Sequence, residues 1–104
     1  SSRNQRLSRV ERQAATCIPD AIRVAIDTAD VGCDGPAAVI EAATRVVESE
    51  PLATLDYVAV FDSDTLNEID EQAWLERSPS QVRIAIAARI GDVRLIDNAA
   101  LHLA

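Results

Sequence analysis

The first three residues, Ser1-Ser2-Arg3, set two hydroxyls, the neighbouring amides and a guanidinium side by side. All are hydrogen-bond donors, and a compact set of them suits an anion such as a phosphate, held by charge-assisted bonds. Three further arginines follow at intervals of three, Arg6, Arg9 and Arg12. A helix predicted to start at Ser8 adds the favourable field of its N-terminal end for the same anion. The same stretch also fits a basic, solvated terminus that binds nothing.

Other residues with chemical potential form no recognisable site. His102 is the only histidine and has no evident orienting partner, so it is assigned an incidental role. The carboxylates Asp62, Asp64, Glu68, Asp70 and Glu71 crowd one segment but lack the central glycine and oxygen spacing of an EF-hand, and are read as a solvated acidic loop. Cys17 and Cys33 are too few for a disulfide framework and match no zinc spacing; both are expected to be reduced, Cys17 as a small hydrophobe on a helix face. No Walker loop, dinucleotide fingerprint or nucleophile elbow occurs.

The chain has 104 residues, 48% apolar and 26% charged, the balance of one globular domain. Its net charge of −7 argues against a nucleic-acid partner. The charge is uneven: the first twelve residues carry four arginines against Glu11, a local +3, leaving −10 for the rest. No apolar run approaches the roughly 18 residues of a membrane span and no signal-peptide pattern opens the chain, so a cytoplasmic protein is expected, with no membrane partner. Only Tyr57, Phe61 and Trp74 are aromatic, so Ala, Val, Ile and Leu must build the interior.

Several elements must position these groups. Ser8-Arg9-Val10-Glu11 fits a capping box, and apolar residues recur at helical spacing from Val10 to Ala29. Pro19 lacks an amide and crowds the Ala15 carbonyl, so it should kink this helix or split it, with Asp20 in the first turn of the second part; Gly32 should end it. A second helix is expected over 36–49, opened by Pro36 and buried through Val39, Ile40, Ala43, Val46 and Val47. "LDYVAVF" at 55–61 reads as a strand, and 63–80 as mostly irregular chain.

"QVRIAIAARIGDVRLID" reads as a hairpin turning on Gly91-Asp92. With Ile90 facing Val93, the residues Val82, Ile84, Ile86, Ala88, Ile90, Val93 and Leu95 share one face, and Arg83, Arg89, Arg94 and Ile96 the other. Arg89 then lies opposite Arg94, to be neutralised by acidic loop residues such as Asp62, Asp64 or Glu68 or else to form an anion-facing wall. Asp97 is expected to cap a short terminal helix by accepting an amide from Ala99 or Ala100. The whole predicts an α+β fold, two or three helices packed on a small three-stranded antiparallel sheet.

Three segments taken together, "SSRNQRLSRVER", "LDYVAVFDSDTL" and "AARIGDVRLIDN", resemble the C-terminal domain of the pantothenate synthetase (pantoate beta-alanine ligase) family, in the family's order and from Ser1 to Asn98. Where that family often has an aromatic residue before the leucine, this chain has Arg6. The resemblance implies that residues 1–104 are the C-terminal lid domain of a larger ligase whose N-terminal nucleotide-binding domain lies outside this sequence. It implies an enzyme that uses ATP to condense pantoate with beta-alanine, through a pantoyl adenylate, with Mg2+ assisting the phosphates and a homodimeric full-length form. It also implies that Ser1, Ser2 and Arg3 contact ATP, while no catalytic residue and no metal ligand is assigned within the fragment. The alternative reading is a stand-alone acidic interaction module whose basic N-terminus docks a partner.

Overall fold

A computed structural model describes residues 7–76 and 81–103. Helix α1 (Arg9–Ala15) opens with the expected capping box: Glu11 donates its amide to Ser8 Oγ at 3.1 Å, and the Ser8 amide donates to Glu11 Oε1 at 2.9 Å. The helix stops at Thr16, whose hydroxyl turns back to donate to the Gln13 carbonyl at 2.7 Å. Helix α2 (Cys17–Val31) begins at once, with Pro19 and Asp20 in its first turn, so the proline splits the apolar stripe as its missing amide requires. Gly32 ends α2 at φ 104°, a conformation that side chains with a Cβ resist.

Helix α3 (Pro36–Glu48) starts at the expected proline and stops one residue short of the expected end. The faces that α2 and α3 turn inward are made of small residues. Ala21, Ala25 and Ala29 on one, and Val39, Ala43 and Val47 on the other, are fully buried, so the two helices pack closely on each other.

The sheet has three antiparallel strands in the order β1 (Ala53–Asp62), β2 (Val82–Ile90) and β3 (Val93–Leu101). Helix α3 packs on β1, while α2 packs on β2 and β3, which leaves both helices on one face. Strand β2 supplies the floor of the core through Ile84, Ile86, Ala88 and Ile90, all inaccessible to solvent. The fold is thus the expected α+β class, with three main helices and one short fourth among the described residues.

The hairpin register holds as expected, with Ile90 opposite Val93 and Arg89 opposite Arg94. Gly91 has φ 60° and Asp92 a negative φ, the mirror-image turn with glycine at its first central position. Strand β1 contains a bulge that the sequence did not announce. Leu55 pairs with Ala88 and Tyr57 with Ala87, so Asp56 is an extra residue between them.

Two expectations fail. The segment 63–80 is less irregular than expected: Glu68 bridges to Phe61, and a short helix α4 (Glu71–Glu76) forms, its first turn capped by Asp70 Oδ1 accepting the Ala73 amide at 2.8 Å. Its anchor is Trp74, only 1% exposed, whose Nε1 donates to the Cys33 carbonyl at 3.0 Å. The terminal helix after Asp97 does not form. Strand β3 instead continues through Asp97, opposite Ile86, to Leu101, opposite Val82. Pairing with a central strand satisfies the backbone of 97–101 and buries Leu101, which outweighs the helical leaning of "NAAL". Among the described residues, no helix is long and apolar enough to cross a membrane.

Candidate functional site

Ser1, Ser2 and Arg3, the expected anion-binding residues, lie outside the described residues, as does Arg6. What is described is the place where that segment joins the domain. Leu7 is 4% exposed and belongs to the core, Ser8 closes the capping box, and α1 runs on with Arg9 and Arg12 exposed to solvent. The hairpin turn meets this junction from the sheet. Gly91 lies so close to Glu11 that a Cβ built on it would overlap the Glu11 Oε2 oxygen. The sequence marked Gly91 as a turn residue and Glu11 as a capping residue, but nothing local joins two positions so far apart.

Beside the junction, an open groove of about 410 Å³ runs between the α1–α2 break and β3, lined by Arg12, Thr16, Ile18, Leu95 and Asp97 among others. Asp97 is exposed here and its Oδ1 accepts the amide of Asn98 at 2.8 Å, so its expected capping of Ala99 or Ala100 is replaced by a contact within the strand.

Two of the arginines of the outer sheet face, Arg94 and Arg83, are held by neighbours on the sheet, while Arg89 is exposed. Arg94 Nε donates to Asp56 Oδ2 at 2.7 Å, and its guanidinium carbon lies 5.9 Å from the centre of the Tyr57 ring. Arg83 donates to Asn98 Oδ1 at 2.7 Å. The acid that compensates Arg94 therefore comes from the β1 bulge. This corrects the expectation that Asp62, Asp64 or Glu68 would do so: the Asp62 carboxylate accepts its own loop's amides, from Asp64 at 2.8 Å and from Thr65 at 3.4 Å. An extra residue in a strand swings an acid onto a face that simple alternation would deny it, which is why Asp56 was not anticipated.

The remaining candidates show no catalytic arrangement. His102 is exposed. Cys17 is buried, and its thiol is pushed above its ordinary pKa first by burial and then by the negative charges of Glu50 and Asp20, the reverse of what a nucleophile needs. The Cys33 Sγ donates to the Gly35 carbonyl at 3.4 Å. Among the described residues, no three His, Cys, Asp or Glu side chains converge on a point where a metal could bind.

The described geometry thus defines a helix-on-sheet α+β domain entered through a capped helix with exposed arginines. The sequence model of the pantoate-beta-alanine ligase family matches residues 1–100, and the chain belongs to that family, as its C-terminal domain. A pantothenate synthetase of Acidothermus cellulolyticus is 41% identical over 98 residues, 94% of this chain and 31% of that protein. One of Rubrobacter xylanophilus is 43% identical over 101 residues, 97% of this chain and 33% of that protein. The crystal structure of pantothenate synthetase from Thermus thermophilus superposes with a TM-score of 0.82 at 27% identity, over 95% of this chain and 33% of that one. The chain therefore spans about a third of the length of the relatives it matches.

Proposed function

We propose that this chain is the lid domain of a cytoplasmic, homodimeric ligase that uses ATP to join pantoate to beta-alanine, and that Ser1, Ser2 and Arg3 contact the ATP phosphates. The observation that carries this reading is the family match over residues 1–100, which includes those three residues. In the reaction that the family resemblance implies, a carboxylate oxygen of pantoate attacks the α-phosphorus of ATP and pyrophosphate leaves. The amine of beta-alanine then attacks the acyl carbon of the pantoyl adenylate, AMP leaves, and the ammonium proton is lost to solvent.

Negative charge shifts among the phosphate oxygens in the first step. Fixed donors aimed at those oxygens stabilise that transition state more than the ground state, which is the part assigned to Ser1, Ser2 and Arg3. The folded body behind them covers the nucleotide held by the N-terminal domain and keeps water from the acyl adenylate. Magnesium, when bound, neutralises phosphate charge. No step here depends on it. No specific observation favours the stand-alone interaction module.

The test is Arg3→Ala in the full-length ligase. Pantoyl-adenylate formation should slow by about 2–4 kcal/mol of barrier, the scale for one transition-state donor. The second half-reaction, run from preformed adenylate, should change much less, because pyrophosphate has already gone. Arg3→Lys should recover part of the loss, and Arg9→Ala, on an exposed arginine, should change little. Equal small effects at both arginines would refute the assignment. The 104 residues alone should form no pantothenate from ATP, pantoate and beta-alanine.

A further inference from the structure

Pro19 breaks the helix layer beside the outer strand, and the break leaves the open groove of about 410 Å³. Arg12, Thr16 and Pro19 border it on the helix side, and Leu95, Ile96 and Asp97 on the strand side. All but Leu95 are exposed, Ile96 at 52%. Apolar side chains with one cation and one anion beside them, in a groove too open to enclose a small molecule, are the makings of a moderately polar contact between domains.

The strand edge beside the groove is not free to take another strand. Across the two-residue turn Ile90 and Val93 bond to each other, so Arg94, Ile96 and Asn98 direct their backbone groups to the outer edge of β3. There the amide of Asn98 is already taken by Asp97 Oδ1 at 2.8 Å. Side chains, rather than a strand from a second copy, fit this surface.

The surroundings select the rest of the same polypeptide as the occupant. This chain is the C-terminal domain of its family and spans about a third of the relatives it matches, so the remainder of such a ligase precedes it. That body is joined through Leu7, which is held in the core, and α1 is the first element after the join. Arg12 lies four residues beyond the Ser8 cap, about 6 Å along the helix. The groove therefore begins beside the point of attachment. A tethered body meets such a surface at high effective concentration, so a modest patch is enough to hold it.

We propose that this groove is the face on which the preceding domain of the ligase docks: apolar side chains of that domain cover Leu95 and Ile96 against Pro19, an acid faces Arg12, and a cation or amide donor faces Asp97. The proposal deepens the lid reading, on which it rests for the claim that docking accompanies closure over the nucleotide.

The test places a photoreactive side chain in the groove of the full-length ligase, as Thr16→p-benzoylphenylalanine, and maps the crosslinked peptides by mass spectrometry after irradiation. The same residue in place of Val31, 87% exposed at the other end of α2, is the reference. Position 16 should crosslink within one polypeptide, to residues that precede this domain, with several times the yield found at position 31. Adding ATP and pantoate should raise that yield. Ile96→Asp, at an exposed position, should leave the circular dichroism spectrum unchanged and cut the yield several-fold.

Crosslinks between two polypeptides, crosslinks to residues 1–6, crosslinks confined to residues 7–103, or a yield no higher than at position 31 would each overturn the proposal. An undiminished yield with Ile96→Asp would overturn the apolar contact. Crosslinking to the preceding domain that ignores ATP and pantoate would keep the docking face and remove closure. No such crosslink, alongside loss of adenylation in Arg3→Ala, would remove the docking face and keep the ATP assignment.

Discussion

Cys17 shows how a single residue can be legible in type and illegible in environment. Its place on the apolar stripe of α2 announced a small buried hydrophobe, and it is buried. The charges of Glu50 and Asp20 that act on it come from folding, and from Glu50 across more than thirty positions of chain. The consequence is a pH dependence. In the unfolded chain the thiol ionises near its ordinary value of 9.0, whereas in the fold burial and two anions keep it neutral to higher pH. The stability owed to the neutral thiol is therefore complete below about pH 9 and is lost as pH rises from there toward the folded pKa. Urea unfolding at about pH 7 and about pH 10 should show the natural chain losing more stability than Cys17→Ala between the two conditions. Identical pH slopes would mean that the thiol ionises freely in the fold. Asp56 is the opposite case. Its type was plain, but its partner Arg94 is set by a bulge that no residue in "TLDYV" signals. With side chains 30% and 40% exposed, the pair is worth no more than about 1 kcal/mol.

At the scale of elements, what could be read was whatever rested on local chemistry. The capping box at Ser8, the split before Pro19, the stop at Gly32, the start at Pro36 and the Gly91-Asp92 turn all depend on residues within a few positions of one another. What failed depended on pairing at a distance. The helix expected after Asp97 lost to a strand partner, and α4 is fixed by an indole bond from Trp74 to Cys33, far up the chain. The β1 bulge is the sharpest such case, because it resets the alternation. Leu55 faces the helices with Ala88, and after Asp56 it is Val58 and Val60 that face them, opposite Ile86 and Ile84. Deleting Asp56 would join the two halves into one regular ladder with Leu55, Val58 and Val60 still inward. That deletion should therefore fold and cost no more than about 1–2 kcal/mol, chiefly the lost partner of Arg94. Deleting Val58 instead would put Tyr57 and Ala59 in consecutive positions and turn one flank of the strand inside out, and it should abolish cooperative thermal unfolding. Equal behaviour of the two deletions would show that the bulge has a structural role beyond carrying Asp56.

At the scale of the molecule, one strand organises everything. Strand β2 is paired on both edges and covered by helices on its inner face, whereas among the described residues β3 leaves its outer edge unpaired and β1 is met on its outer edge only at its end, by the segment 67–69. Backbone amides of β2 should thus exchange with solvent only through global opening, and those on the outer edge of β3 through easier local opening. Hydrogen exchange followed by NMR should find the slowest amides at Ile84, Ile86 and Ala88; protection no greater there than along β3 would contradict this hierarchy. The α+β class was legible because helical and strand periodicities occupy separate parts of the sequence, while residues 1–3 were legible only as a cluster of donor types. Finally, the burial of Trp74 has an optical consequence. It is the only tryptophan of the chain and sits sealed between α4 and the α2–α3 connection, its ring nitrogen bonded to a carbonyl. Selective excitation of the indole therefore reports on one known spot of this domain, with blue-shifted emission while α4 stays docked and a shift to the red when it lifts away. The chain carries its own fluorescent gauge, with no dye to attach.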